Sequence, residues 1–322
     1  LRELWCHGEA DSIDCLLVHS TVVAATRSSG WLDLYSLQSG ALLQRIRLRK
    51  PVQAAALLDN LWVGLAQDQV EVVHLTPLLC QDACRYDRNS NFSSGGELAS
   101  PLAQDSQRLF WVARQQLVCY QARPQGLQKQ WQALLPGPSP GLALWGEWVF
   151  ALVERSLFQF DARSGEQLNR TELPFQPQAL KQAGDALWIS GREGDLWKWK
   201  GGELTRGWAG PSRRSYQFGA NPSHVVLCAG RTVLNLNLNS GRQCSLELPQ
   251  PCVLAPLLGE NWALLSSYEG MLYQLALDQE SPRVVQARRP FTSFEPTTVQ
   301  PLIAGDRVVL AGPEGQLAVW SL

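Results

Sequence analysis

The chain has 322 residues, 45% of them hydrophobic, with 28 Lys and Arg against 29 Asp and Glu. That near-neutral balance supplies no global field for nucleic acid, and no stretch reaches the roughly 18 uncharged apolar residues of a membrane span. A chain of this length buries about three quarters of its extended surface on folding, and the hydrophobic fraction is enough to build that core.

The chain opens with "LRELW", a short strand pattern with no partner close behind it. An apolar run, "TVVAAT" from Thr21, is followed by "SGWLDLYSLQSG" around Leu32, where apolar and polar residues alternate. The pairing of a run that ends in small residues with an alternating run then recurs. It is found as "LWVGLA" with "DQVEVVHL", "LFWVAR" with "QQLVCYQA", "WVFALV" with "RSLFQFDARSG", and "LWISGR" with "GDLWKW". It continues as "VVLCAG" with "RTVLNLNLNSG", "WALLSS" with "GMLYQLAL", and "VVLAGP" with "GQLAVWSL".

The residues that enter the alternating runs are Leu32, Val70, Leu117, Leu157, Leu196, Leu234, Leu272 and Leu317, at intervals of 38, 47, 40, 39, 38, 38 and 45. Strand patterning with a period near forty is the signature of a propeller blade rather than of a helical solenoid. A further run precedes each pair, as in "VQAAALLDN", "VLAPLLGEN" and "VQPLIAGDR", and another follows it, as in "GALLQRIRL", "GLQKQW", "GEQLNRT" and "GELTRGW". Four strands per unit and eight units follow.

The chain ends on the third strand of its eighth unit and begins with a strand that lacks a unit. The expectation is therefore one all-β domain, residues 1–322, a closed eight-bladed β-propeller in which the N-terminal strand completes the last blade. Closure of this kind hides the sheet edges. The first residue is Leu1 and no signal peptide opens the sequence, so the domain is expected to be part of a longer chain.

The longest departure from the repeat, "CRYDRNSNFSSGGELAS" from Cys84 to Ser100, reads from its Ser, Asn and Gly content as a mobile loop rather than a strand. Insertions in repeat arrays often map to a binding face, and "NFS" at Asn91 is a glycosylation match only in a secreted protein.

Eight cysteines raise the question of disulfides or metal. Cys119 and Cys228 sit inside strand patterns, where a small apolar side chain packs well. Because the spacings repeat in no blade, a reduced, cytoplasmic protein is expected, with the periplasm as the alternative and Cys244 with Cys252 as the best disulfide candidate. His74 with Cys80 and Cys84 lacks a second ligand pair and is read as structural rather than as a zinc site.

No nucleophile or phosphate motif is present, and the four histidines fall in no metal motif. Asp59, Glu147, Asp185, Glu260 and Asp306 each fall between the first and second strands of a blade, where turns use such residues. Neither a catalytic residue nor a cofactor or metal site is expected.

The step from third to fourth strand, "LYSLQSGALL", "FQFDARSGEQL" and "LNLNSGRQC", resembles the repeat of the quinoprotein-like propellers, which include the outer-membrane assembly lipoprotein. The resemblance implies a bacterial repeat protein in which a late tryptophan of each blade docks on its neighbour. Trp5, Trp131 and Trp208 resemble that residue, with Ile46 and Thr171 in comparable places. The dipeptides typical of WD40 blades do not recur, so a WD40-like propeller is the second choice.

Two function classes remain. One is a non-enzymatic scaffold that docks a partner protein or another domain of its own chain. The alternative is a quinone-dependent dehydrogenase on the same scaffold, although the adjacent cysteine pair that the resemblance implies for such enzymes is absent here. The connections from second to third strand and from fourth strand to the next blade share one face, which collects Arg27 and Arg155 among its bases. The expected partner-binding residues on it are Arg213, Arg214, Arg288, Arg289, Trp208, Tyr216 and Phe291, because arginine with aromatics is the composition of binding hot spots.

Overall fold

A computed structural model of the chain describes residues 2–8, 11–19, 21–48, 52, 54–58, 61–66, 69–74, 92–93, 103–113, 115–123, 126–208, 217–277, 282–291, 299 and 301–322. Among these residues the strands form eight four-stranded sheets, and every pair whose register is defined runs antiparallel. Valine, leucine and aromatic side chains crowd the second strand of each sheet because branched and aromatic residues fit a pleated surface that is covered on both sides.

The repeat is visible strand by strand. The first sheet is Ile13–His19, Val22–Arg27, Trp31–Ser36 and Leu42–Arg47. The fourth is Gly141–Trp145, Trp148–Val153, Ser156–Asp161 and Gln167–Glu172. In both, neighbours in sequence are neighbours in the sheet, as short hairpin connections such as the two-residue turn of Gly146 and Glu147 require. The N-terminal strand Arg2–His7 is the exception: it pairs with Leu317–Ser321, so the last sheet joins the two ends of the chain.

The alternating runs are the third strands. Leu32, Leu117, Leu157, Leu196, Leu272 and Leu317 are buried on them. In the sixth sheet the frame is one residue earlier than the pattern suggests. Val233 is fully buried and pairs with Cys228, while Leu234 is half-buried. Side chains alternate with period two, so a one-residue slip puts the opposite set inside.

The stretch expected to be a loop rather than a strand needs a correction. Phe92–Ser93 pairs with Val70 and Gln69 and supplies the fourth strand of the second sheet. A two-residue strand is too short to register as alternation, and pairing with a strand already in place defines it. The remainder of residues 84–100 lies outside the described residues, as do Cys80 and Asp59.

The chain clusters into two compact units. One comprises Leu1–Pro51, Gln182–Lys200 and Arg206–Leu322, the other Val52–Lys181 and Gly201–Thr205. In the second unit Leu58 and Val63 pack on Trp111 and Tyr120, and Phe110 and Trp131 pack on Val149, Phe158 and Phe160. In the first unit Tyr35 and Val23 pack on Val309, Leu317 and Val319, and Val226 and Cys228 pack on Ala263, Leu265 and Tyr273. Each buried Leu, Val or Phe contributes about 1.5–3 kcal/mol relative to an exposed one. Four-stranded antiparallel sheets stacked face to face on their neighbours in sequence are the blades of a β-propeller.

A repeated device joins neighbouring blades. The turn from third to fourth strand ends in glycine at Gly40 and Gly165, with φ of 74° and 76°, a left-handed conformation that side chains with a Cβ rarely adopt. Each glycine N–H donates back to the start of its turn, to Ser36 O and Asp161 O, at 2.9 Å. A tryptophan from another blade's outer strand lies on each glycine. Trp5 Nε1 donates to Leu37 O at 3.1 Å and its ring covers Gly40, where an added Cβ would fall 2.7 Å from the ring. Trp131 Nε1 donates to Ala162 O at 3.1 Å, and a Cβ on Gly165 would fall 2.6 Å from its ring.

The structure revises which residues share that position. Trp5 and Trp131 stand opposite Val319 and Cys119, two residues past the start of the alternation. The residues at that register in the first and fourth blades are Gln44 and Asn169, opposite Leu34 and Gln159, whereas Ile46 and Thr171 lie opposite Leu32 and Leu157. A bulge in each of these outer strands, at Leu4, Leu43, Gln130 and Leu168, shifts its pairing by one residue, which a count along the sequence does not register.

Candidate functional site

The expected partner-binding residues do not assemble into one described surface. Arg213, Arg214 and Tyr216 lie outside the described residues. Arg288 is exposed at the end of the outer strand Arg283–Arg288, and Arg289 beside it is half-buried. Trp208 is half-buried at the end of Glu203–Trp208. Phe291 corrects the expectation of a solvent-facing ring. It is 7% exposed, packs with Leu264, Leu272 and Leu310, and covers Gly312, where a Cβ would fall 2.6 Å from it. Burying that large ring between two blades removes more apolar area from water than a loop position could.

Arg27, counted among the bases of the same face, is also inside the protein at 1% exposure. Its Nε donates to Asp33 Oδ2 at 2.5 Å, its Nη2 to Tyr35 Oη at 2.9 Å and its Nη1 to Asp11 O at 2.7 Å. Arg45 adds Nε to Asp33 Oδ1 at 2.6 Å and Nη2 to Oδ2 at 2.9 Å. Burial alone would raise the Asp33 pKa, but the bonds from Arg45 and Arg27 outweigh it and hold the carboxyl below its ordinary range. Position in the sequence suggested none of this, since Arg27 ends a strand where a solvent-facing base is common.

Two concave sites lie at opposite ends of the fourth blade. At the end carrying the hairpin of Glu147 and the turn of Arg163 is a groove of about 450 Å³, lined by Asp105, Arg108, Cys119, Gln130, Glu147 and Arg163, among others. Arg108 Nη2 pairs with Asp105 at 2.8 Å and Arg163 Nε with Glu147 at 2.8 Å. Burial opposes ionisation of Asp105, yet the N–H groups of Gln107 and Arg108 and the Arg108 guanidinium hold its pKa below the usual value. Cys119, the sulfur in this wall, is pushed up to about 12 by burial, so it carries no thiolate at neutral pH.

At the opposite end is a larger groove of about 840 Å³, lined by Glu154, Arg155, Ser156, Arg170, Glu172, Leu173, Pro174 and Gln176. This is the end where the connections from second to third strand and from fourth strand to the next blade emerge. Glu154 adopts φ 51°, so the two-residue turn with Arg155 presents both side chains at the rim. Arg170 Nε donates to Ser156 Oγ at 3.2 Å, and its guanidinium lies 5.4 Å from the Phe158 ring centroid. Gln176 Nε2 donates to Glu154 O at 3.4 Å.

The chemistry of this lining favours holding rather than reacting. A serine becomes a nucleophile when a neighbouring base takes its proton, and a guanidinium, which never gives up its own, cannot serve as one. Arginine and glutamate side by side recognise carboxylates and cations of a polypeptide through charge-assisted bonds. Sequence reasoning placed Arg155 on this face but missed Arg170, which sits in mid-strand and reaches the groove only because its long side chain bends over Phe158.

Among the described residues no three His, Cys, Asp or Glu come together as a metal-holding group, and Cys80 and Cys84, grouped with His74 above, lie outside them. No helix among them is long and apolar enough to cross a membrane. Among the described residues Cys6, Cys15, Cys119, Cys228, Cys244 and Cys252 form no disulfide. The thiol beside Cys252 is Cys228 rather than the expected Cys244.

No family model and no curated protein matches the chain. Solved structures do. The chain is similar over its whole length to the computationally designed protein Ika8, at 16% identity and a TM-score of 0.78, covering all of that chain. It is similar to Saccharomyces cerevisiae Sqt1 at 12% identity and a TM-score of 0.80, with 100% and 99% of the two chains covered. It also resembles BamB from Moraxella catarrhalis at 11% identity and a TM-score of 0.52, over 94% of this chain and 82% of that one. Identities this low carry the β-propeller fold and nothing finer.

Proposed function

We propose that this chain is a non-enzymatic docking module: an eight-bladed, closed β-propeller that holds a partner protein, or another domain of its own polypeptide, at the end of the fourth blade carrying the larger groove. The observation that carries the reading is the lining of that groove. Arg155, Arg170, Glu154 and Glu172 offer paired charges at a concave rim, and the hydroxyl of Ser156 is committed to Arg170. Charge at such a rim steers encounter and selects partners. A propeller frame supports the role because its blades hold the connecting loops rigidly while tolerating changes in them. Of the expected basic surface, exposed Arg288 is kept as a proposed partner contact in its own right, separate from the groove.

The closed ring is supported by the strand shared between the two chain ends and by the stacking of neighbouring sheets. Removing residues 2–8 leaves Leu317–Ser321 as an open edge, and the expected result is aggregation. A crystal structure with seven blades in the ring and the eighth sheet outside it overturns this part.

Affinity capture with cross-linking from a source lysate tests the docking site. Arg155→Glu combined with Arg170→Glu is expected to lose partners that Arg163→Glu, at the opposite end of the blade, retains. If the groove variant and the control capture the same partners at the same cross-linked residues, the groove is a solvated rim.

A further inference from the structure

Cys228 lies on the second strand of the sixth blade, His224–Ala229, with its side chain in the core shared with Trp262–Ser266 and Leu272–Ala276. Cys252 belongs to the connection between the outer strand Gln243–Glu247 and the seventh blade. Its N–H donates to Gly230 O at 2.8 Å, it forms an antiparallel bridge with Ser267, and the N–H of Val253 donates to Ser266 O at 2.9 Å. The connection is thus held between two blades. The bond to Gly230, at the turn just past the Cys228 strand, holds Cys252 against the core cluster that contains Cys228. The two thiols are hydrogen-bonded to each other. Cys228 is 4% exposed, whereas Cys252 is half-buried and keeps an open side.

We propose that Cys228 and Cys252 form a dithiol which small-molecule disulfides convert reversibly to an intramolecular disulfide, tying the connection after the sixth blade to that blade's second strand. The reaction balances as two exchanges. The Cys252 thiolate attacks one sulfur of the small disulfide, whose bond breaks to release one thiol and leave a mixed disulfide on Cys252. Cys228 then loses its proton and attacks the Cys252 sulfur, expelling the second small thiol. Two protein thiols are oxidised and one small disulfide is reduced to two thiols.

The environments divide the labour. The hydrogen bond from Cys228 lowers the Cys252 pKa and makes it the attacking sulfur, while burial raises Cys228, which meets only its neighbour. Other sulfurs are worse placed. Burial pushes Cys15 to about 11 and Cys119 to about 12. Exposed Cys6 is raised by partial burial and by Glu3.

The experiment incubates the full chain with glutathione disulfide, blocks remaining thiols by alkylation, and maps the peptides by mass spectrometry. The expected product is a cross-link between the peptides of Cys228 and Cys252 that dithiothreitol reverses. It persists in Cys244→Ser and is lost in Cys252→Ser, which also leaves Cys228 unmodified in the folded protein. Glutathione retained on Cys252 without transfer to Cys228 overturns the proposal, as does a Cys244–Cys252 cross-link or no reaction at Cys252. If Cys252→Ser fails to fold, the wild-type and Cys244→Ser maps decide by themselves.

Discussion

Trp131 lies within the outer strand Gly126–Leu134 and Trp208 ends the outer strand Glu203–Trp208, and each precedes a blade whose turn ends in a left-handed glycine, Gly165 at φ 76° and Gly241 at φ 70°. At the first joint the indole covers the glycine and donates to Ala162 O. At the second, nothing lies within 4 Å of where a Cβ on Gly241 would sit, and a 3.3 Å bond from Gln243 Nε2 to Gly207 O crosses the joint. The glycine is therefore covered at one joint and left open at the other. Register is what the covering tryptophans share: Trp131 and Trp5 both reach their glycine from a position two residues past the start of the third strand's alternation, opposite Cys119 and Val319.

The comparison breaks most visibly at the occupied joint. Trp131→Ala removes a ring that is 9% exposed and leaves a cavity over Gly165, with an expected loss of about 3–5 kcal/mol. Trp208→Ala, at a half-buried ring, is expected to cost about 1 kcal/mol. Chemical denaturation of the two variants measures both, and equal losses would mean that the joints are alike after all.

The joint at Trp5 leans on charge as well. Arg27, in the blade that Trp5 docks on, donates to Gly315 O of the last blade at 3.4 Å while paired with Asp33. Asp33→Ala leaves a buried guanidinium without its carboxylate, and an expected loss of about 3 kcal/mol follows. The pH dependence has a definite sign. The folded pKa of Asp33 is depressed, so its stabilisation is complete above the ordinary carboxyl value near 4 and is lost as pH falls through the lower folded value. Thermal melting followed from neutral pH down through this range should show a fall in Tm that Asp33→Asn flattens.

The glycines sharpen the comparison with a smaller effect. Gly241→Ala meets open space, so left-handed strain alone is expected to cost about 1 kcal/mol. Gly165→Ala adds the clash with the Trp131 ring and is expected to cost about 1–3 kcal/mol more. In Trp131→Ala the extra cost should vanish, which a double-mutant cycle reads directly.

Much of the architecture was legible in the residues. The third strands lie where the alternating runs place them because period-two patterning is a local property that pairing only completes. Phe92–Ser93 was not legible, since a two-residue strand carries no periodicity and exists through its partner. The candidate site was legible in part. Arg155 follows from counting connections, whereas Arg170 depends on a side chain reaching past Phe158, and Phe291 and Arg27 went inside because packing and ion pairing outweigh local polarity.

The sequence by itself determined the four-strand repeat, its period and the orphan first strand, because these rest on alternation and turn chemistry within a few residues. Only the tertiary structure decided that Trp5 and Trp131 cover a glycine while Gly241 stays open. It also decided that Arg27 is paired and buried, and that Cys252 meets Cys228 rather than Cys244. Each depends on the register between strands distant in the chain. A bulge or a one-residue offset there changes which side chain faces the neighbour without altering the local pattern.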